Sequence, residues 1–173
     1  YPLPEAQLDQ FMFKIEVGYP SRSEEGAVVE RMARPSPVID ASPVAALEDI
    51  LRARAMLEHV YLDEKIIQYI LDLVIATRPG CRKELSERQA GARLDELDGL
   101  ISFGASPRAS IALALASRAA ALLAGRAYVL PQDVKAIAPD VLRHRIVLSY
   151  EAEAENINAD AVITRLLAEL RTP

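Results

Sequence analysis

Along most of this chain the hydrophobic residues recur three and four positions apart, the spacing of helices that bury one face. The clearest case begins at Asp63, a capping residue, and runs through Ile66, Ile67, Ile70, Leu71, Val74 and Ile75 to a stop at Pro79-Gly80. Earlier, Ser21-Arg22-Ser23-Glu24 has the form of a capping box opening a helix with Val28, Val29 and Met32, ended by Pro35 and Pro37. Ser42-Pro43 is expected to open a second helix with Leu47, Ile50, Leu51 and Ala55 on one face. Later, Ser106-Pro107 begins an Ala- and Leu-rich helix that ends at Gly125, and Pro131-Gln132-Asp133 begins another that runs through Leu142. Asn158 or Asp160 caps a last helix carrying Ile163, Leu166, Leu167 and Leu170.

Departures from this period are few. Pro4 to Phe11 reads as a short helix with Pro4 at its first position, and Phe13-Lys14-Ile15-Glu16-Val17 alternates like a strand closed by Gly18-Tyr19-Pro20. Ile146-Val147-Leu148 reads as a short extended piece. One strand makes no sheet, so the 13–17 strand needs partners from elsewhere. Residues 80–103 scatter charge around Gly91 and Gly99 and predict a long surface excursion, partly helical, rather than a packed element. The expected fold is mainly α: a helical bundle preceded by a short helix and a single strand.

At 173 residues and 51% hydrophobic content, the chain can bury one real core. A net charge of −5, with Arg143-His144-Arg145 the longest basic run, argues against nucleic acid as a partner. No apolar run approaches the roughly 20 residues that cross a bilayer. Cys81 is the only cysteine, which excludes an internal disulfide and fits a reducing, cytoplasmic setting. The opening Tyr1-Pro2-Leu3-Pro4 reads as the interior of a longer protein. The two histidines, His59 and His144, lie far apart in no metal-ligand spacing, so no metal site is expected. Neither a Gly-x-Ser-x-Gly elbow nor a Gly-x-x-x-x-Gly-Lys-Ser/Thr loop occurs, so catalysis by these residues alone has no support.

One segment carries an electrostatic conflict. In Gly104-Ala105-Ser106-Pro107-Arg108-Ala109, Ser106 caps a helix and Pro107 takes its first position, which puts Arg108 in the first turn. The helix N-terminus carries partial positive charge and disfavours a cation there. An anion held between the guanidinium and the backbone amides removes the conflict, and phosphate is the usual one.

Five segments together resemble the C-terminal part of a MoxR-type AAA+ ATPase. They are Leu3-Pro4-Glu5-Ala6-Gln7-Leu8-Asp9-Gln10-Phe11, Val17-Gly18-Tyr19-Pro20, Gly104 to Ala109, Tyr128-Val129-Leu130-Pro131 with Asp133, and Val141-Leu142-Arg143-His144-Arg145-Ile146. The resemblance implies that residues 1–20 are the end of the α/β nucleotide-binding core with its hinge, and residues 21–173 the helical lid. It implies that Arg108 is the sensor 2 arginine that reaches the γ-phosphate of ATP, and that Tyr19 and Pro20 lie at the hinge near the adenine. Arg143 and Arg145 match a feature given a structural role. Gln10 stands where the family has the arginine finger offered to the neighbouring subunit; it can donate a hydrogen bond but brings no charge. The resemblance further implies a longer parent that holds ATP and Mg²⁺, hydrolyses ATP in a homo-oligomeric ring, expected to be a hexamer, and acts with von Willebrand factor A-type partners on client proteins. The fragment alone would hold no cofactor. The competing expectation is an independent helical interaction module with no nucleotide role, in which Arg108 is an ordinary surface residue.

Overall fold

A computed structural model of the chain describes residues 3–37, 39–89 and 93–173. Gly91, one of the two loop glycines noted above, lies outside them. The chain divides into two compact units: Ile15–Ala55, and Tyr1–Lys14 together with Met56–Pro173.

Helix α1 (Glu5–Leu8) is a single turn with Pro4 as its N-cap residue. In the smaller unit, α2 (Arg22–Met32) starts at the expected capping box: the Glu24 carboxylate accepts from the Ser21 N–H at 2.7 Å, and Ser21 Oγ accepts from the Glu24 N–H at 3.4 Å. Helix α3 (Leu47–Met56) starts later than Ser42-Pro43 predicts, because the Asp49 carboxylate takes the Ala46 N–H at 2.9 Å and fixes the first turn there. None of the described residues of this unit is buried.

The larger unit holds the core. Helices α4 (Glu64–Ala76), α5 (Pro107–Leu123), α6 (Pro131–Leu142) and α8 (Ala159–Glu169) pack against one another, with the five-residue α7 (Tyr150–Ala154) between the last two. Ala109, Ala112, Ala116 and Ala121 on α5 are buried and let its neighbours approach closely around Leu113, while α6 contributes Val134, Val141 and Leu142. On α4 the buried face runs through Ile66, Tyr69, Ile70, Leu73 and Val74, whereas Leu71 points outward. The expected caps form: Asp63 on α4, Ser106 on α5 and Asn158 on α8. Gly80 and Gly125, each with φ above +70°, turn the chain after α4 and α5.

Two expectations need correction. Residues 13–17 form no ladder; the sheet instead pairs β1 (Ile101–Phe103) with β2 (Val147–Leu148), antiparallel, with Ile101 opposite Leu148. An alternating pattern becomes a strand only where another backbone offers it groups to bond, and 146–148 finds one while 13–17 does not. Nor is 80–103 only a surface excursion. Leu94, Leu97, Leu100 and Ile101 are buried, and buried Gln89 donates to the buried Asp72 carboxylate at 3.1 Å. Ser86 bonds the same carboxylate through its N–H at 2.9 Å and its hydroxyl at 2.5 Å. Apolar residues three apart among charges pack one thin face of three-residue helical turns, a pattern too short for periodicity to reveal.

Candidate functional site

The start of α5 is set by the end of α4. Thr77 Oγ1 accepts from the Ala105 N–H at 2.9 Å and donates to the Val74 carbonyl at 2.6 Å. Arg78 Nε donates to the Ala105 carbonyl at 2.9 Å. Gly104 makes this approach possible: a Cβ there would lie 2.3 Å from the Thr77 carbonyl oxygen and 2.7 Å from Arg78 Cα. The glycine is required by contact with backbone, which cannot swing aside.

At the helix mouth, Ser106 Oγ accepts from the Arg108 N–H at 3.2 Å and donates to Asp9 at 2.9 Å. Asp9 follows α1 and lies almost a hundred residues away in sequence. Its carboxylate supplies the anion that the Arg108 conflict called for. Arg108 reaches it at 3.4 Å, a long contact, and the Arg108 side chain is 62% exposed. Such an exposed pair contributes about 0–1 kcal/mol, so the guanidinium can leave it easily.

A second arginine binds Asp9 differently. The Arg145 side chain, 2% exposed, donates through Nε to Asp9 Oδ1 at 3.0 Å. Its other donors go to the carbonyls of Asp9 at 3.2 Å, Phe11 at 2.6 Å, Met12 at 3.1 Å and Val141. All five N–H groups of the fork are therefore spent, four of them on the turn of residues 9–12. Burial raises the Asp9 carboxyl, but hydrogen bonds from Ser106, Arg108 and Arg145 outweigh it and hold it below its ordinary value. Burial lowers the Arg145 guanidinium from its ordinary value, and Asp9 offsets part of that.

The two residues beside Arg145 hold the same segment. Arg143 donates to the Lys14 carbonyl at 2.6 Å, to Asp140 at 2.6 Å and to Asp160 at 3.1 Å. The Lys14 N–H bonds the Asp140 carbonyl at 2.9 Å. His144 Nε2 lies 2.9 Å from the Phe11 carbonyl, which requires the tautomer with its proton on Nε2. His144 Nδ1 is buried and finds no partner among the described residues. Burial lowers the pKa of this imidazole, as does the nearby Arg145 charge, against the Phe11 hydrogen bond and the Asp9 charge.

Of the residues singled out in the sequence, Arg108 and Gln10 belong to the larger unit, and Gln10 is exposed on the Arg145-held turn. Tyr19 and Pro20 belong to the smaller unit and are fully or largely exposed there. Tyr128 to Asp133 proves to be a helix-start device: Asp133 accepts from the Leu130 N–H at 2.8 Å and from Arg126 at 2.8 and 2.5 Å. Sequence reasoning missed Asp9, Thr77 and the reach of Arg145. The only signal for them was a buried-type pattern around Arg145, flanked by Leu142 and Ile146.

Comparison with known proteins bears on the same residues. The AAA lid domain family matches residues 98–166, a span that includes Arg108, Arg143 and Arg145 but not residues 9–20. The whole chain aligns with the chaperone MoxR1 of Mycobacterium tuberculosis at 41% identity, covering 43% of that protein. It aligns with the protein MoxR of Paracoccus denitrificans at 31% identity, again over the whole chain and 52% of the relative. A crystal structure of a candidate ATPase from Cytophaga hutchinsonii superposes on the full chain with a TM-score of 0.87 at 36% identity, covering 50% of that protein. The chain thus spans about half the length of the relatives it matches.

Proposed function

We propose that this chain is the lid-bearing part of a MoxR-type AAA+ ATPase, a reading supported by its likeness to the AAA lid domain family and to MoxR proteins, and that it reads the phosphate end of ATP through Arg108. The observation that carries this is a guanidinium 62% exposed at the mouth of a 17-residue helix, held among the described residues by one long contact to Asp9. Cation, helix amides and solvent access together suit a phosphate delivered by another part of the protein. Arg108 and the first amides of α5 fit the phosphate end of the nucleotide. Mg²⁺ and the remaining phosphate contacts belong to the rest of the parent, and this chain alone does not hydrolyse ATP. Residues 1–20 are read as the end of the core and its hinge, with Tyr19 and Pro20 toward the adenine, and 21–173 as the lid.

In the parent, water cleaves the terminal phosphoanhydride to give ADP and phosphate, within a homo-oligomeric ring read as a hexamer. Lid movement against the core then acts on a client protein together with von Willebrand factor A-type partners, in the cytoplasm. Gln10 occupies the finger position without a charge. Such arginines are worth about 10³–10⁵ in rate where they act in other phosphoryl-transfer enzymes, so with glutamine there either the parent is a slow ATPase, another cation substitutes, or the position has been altered.

ATP turnover of the full-length protein tests the proposal. Arg108→Ala is expected to lower kcat more than it weakens ADP binding, and Gln10→Arg to raise kcat. Equal losses in kcat and ADP affinity would make Arg108 a uniform binding residue and refute its sensing role. An unchanged rate in Gln10→Arg would remove position 10 from the site.

A further inference from the structure

We infer that Asp9 and Arg145 are positioning residues that lock the turn bearing Gln10 onto the helix bearing Arg108, so that in the lid movement proposed above this turn, although it precedes the hinge, travels with the lid and the two nucleotide-facing positions move as one piece. The inference deepens the proposed function and rests on it for what positions 10 and 108 face. The lock itself rests on geometry alone.

Two residues 136 apart in sequence meet at one carboxylate. On one side, Asp9 accepts from Ser106, the cap of α5, at 2.9 Å, and from Arg108 at 3.4 Å. On the other, it accepts from Arg145 at 3.0 Å. Arg145 also grips the backbone carbonyls of residues 9, 11 and 12, on both sides of Gln10. The backbone of residue 10 therefore has little freedom relative to α5. Its exposed side chain and that of Arg108 project from one braced structure.

The partners of Asp9 differ in permanence. Arg145 is buried and surrounded by acceptors, so leaving would strand its charge. Arg108 is exposed and loses almost nothing by leaving. A phosphate that draws Arg108 away thus leaves Asp9 bound to Arg145 and Ser106, and the brace survives nucleotide engagement. A lysine at 145 keeps the charge but lacks the fork that reaches four acceptors on the turn.

The test uses the full-length protein with every native cysteine, Cys81 included, replaced by serine and spin labels at Gln10→Cys and Ser110→Cys. The expected result is a single narrow distance distribution that broadens in Asp9→Asn and in Arg145→Lys, measured where circular dichroism shows both variants fully folded. Asp9→Glu restores much of the narrow distribution. In the unlabelled protein, Asp9→Asn is expected to lower kcat at least tenfold while KM stays within twofold, at a temperature where circular dichroism shows the variant fully folded, so that a smaller active fraction does not account for the loss. Distributions that stay narrow in both folded variants overturn the inference. If the full-length protein shows no ATPase activity, the proposed function fails while the distances still decide the lock. If one variant does not fold, the other gives the same reading.

Discussion

Replacing Arg145 by methionine keeps the buried stem and removes the guanidinium, leaving the carbonyls of residues 9 and 12 without this donor, the Phe11 carbonyl with His144 alone and the Asp9 carboxylate without its buried partner. Removing one partner of a buried ion pair costs about 3–5 kcal/mol. Asp9 is 18% exposed and keeps Ser106 and Arg108, so the lower end, about 3 kcal/mol, applies. None of the described residues 3–14 is itself buried, so this segment has little apolar area holding it to the bundle. The cheapest response is therefore local: the segment undocks before the bundle unfolds. At about 1.4 kcal/mol per tenfold, amide exchange should accelerate roughly a hundredfold at the Lys14 N–H, which bonds Asp140, and at the Phe11 N–H, which bonds Leu8. Exchange in α4, α5 and α6 should barely change. Hydrogen exchange by mass spectrometry on Arg145→Met separates the alternatives. Uniform acceleration across the helices, with residues 9–14 no worse than the rest, would show that Arg145 supports the bundle rather than the turn and would refute the reasoning.

Gly104→Ala drives a methyl into the Thr77–Arg78 backbone and should cost about 1–3 kcal/mol. At about 2–8 °C per kcal/mol the thermal midpoint falls visibly, and an unchanged midpoint would show that the approach is not tight. Acid should also loosen the 9–14 segment. The folded-state pKa of His144 lies below its ordinary 6.5, so the unfolded chain takes up the proton first as pH falls through 6.5 and stability drops from there to the folded value. A second loss follows when pH falls below the ordinary Asp9 value of 3.8 and through its lowered folded value. Urea midpoints at pH 7.5 and 5.5 should therefore differ in the wild-type protein and converge in His144→Gln; an equal fall in both would clear His144.

Helix starts and stops were legible because they depend on side chains within three residues of the backbone groups they satisfy. The Ser21 box, the Asp63, Ser106 and Asn158 caps and the turns at Gly80 and Gly125 all stand where local chemistry puts them. The conflict at Arg108 was legible for the same reason; the anion expected there from the sequence was a phosphate, whereas the structure places the Asp9 carboxylate 3.4 Å from the guanidinium. What only the tertiary structure decided depends on partners distant in sequence. The carboxylate at position 9 answers Arg108; residues 147–148 find a β-partner at 101–103 while 13–17 find none among the described residues; and Leu94, Leu97 and Leu100 turn inward. No local pattern encodes these outcomes, because hydrogen bonds and apolar contacts across a hundred residues exist only after the bundle has brought their two ends together.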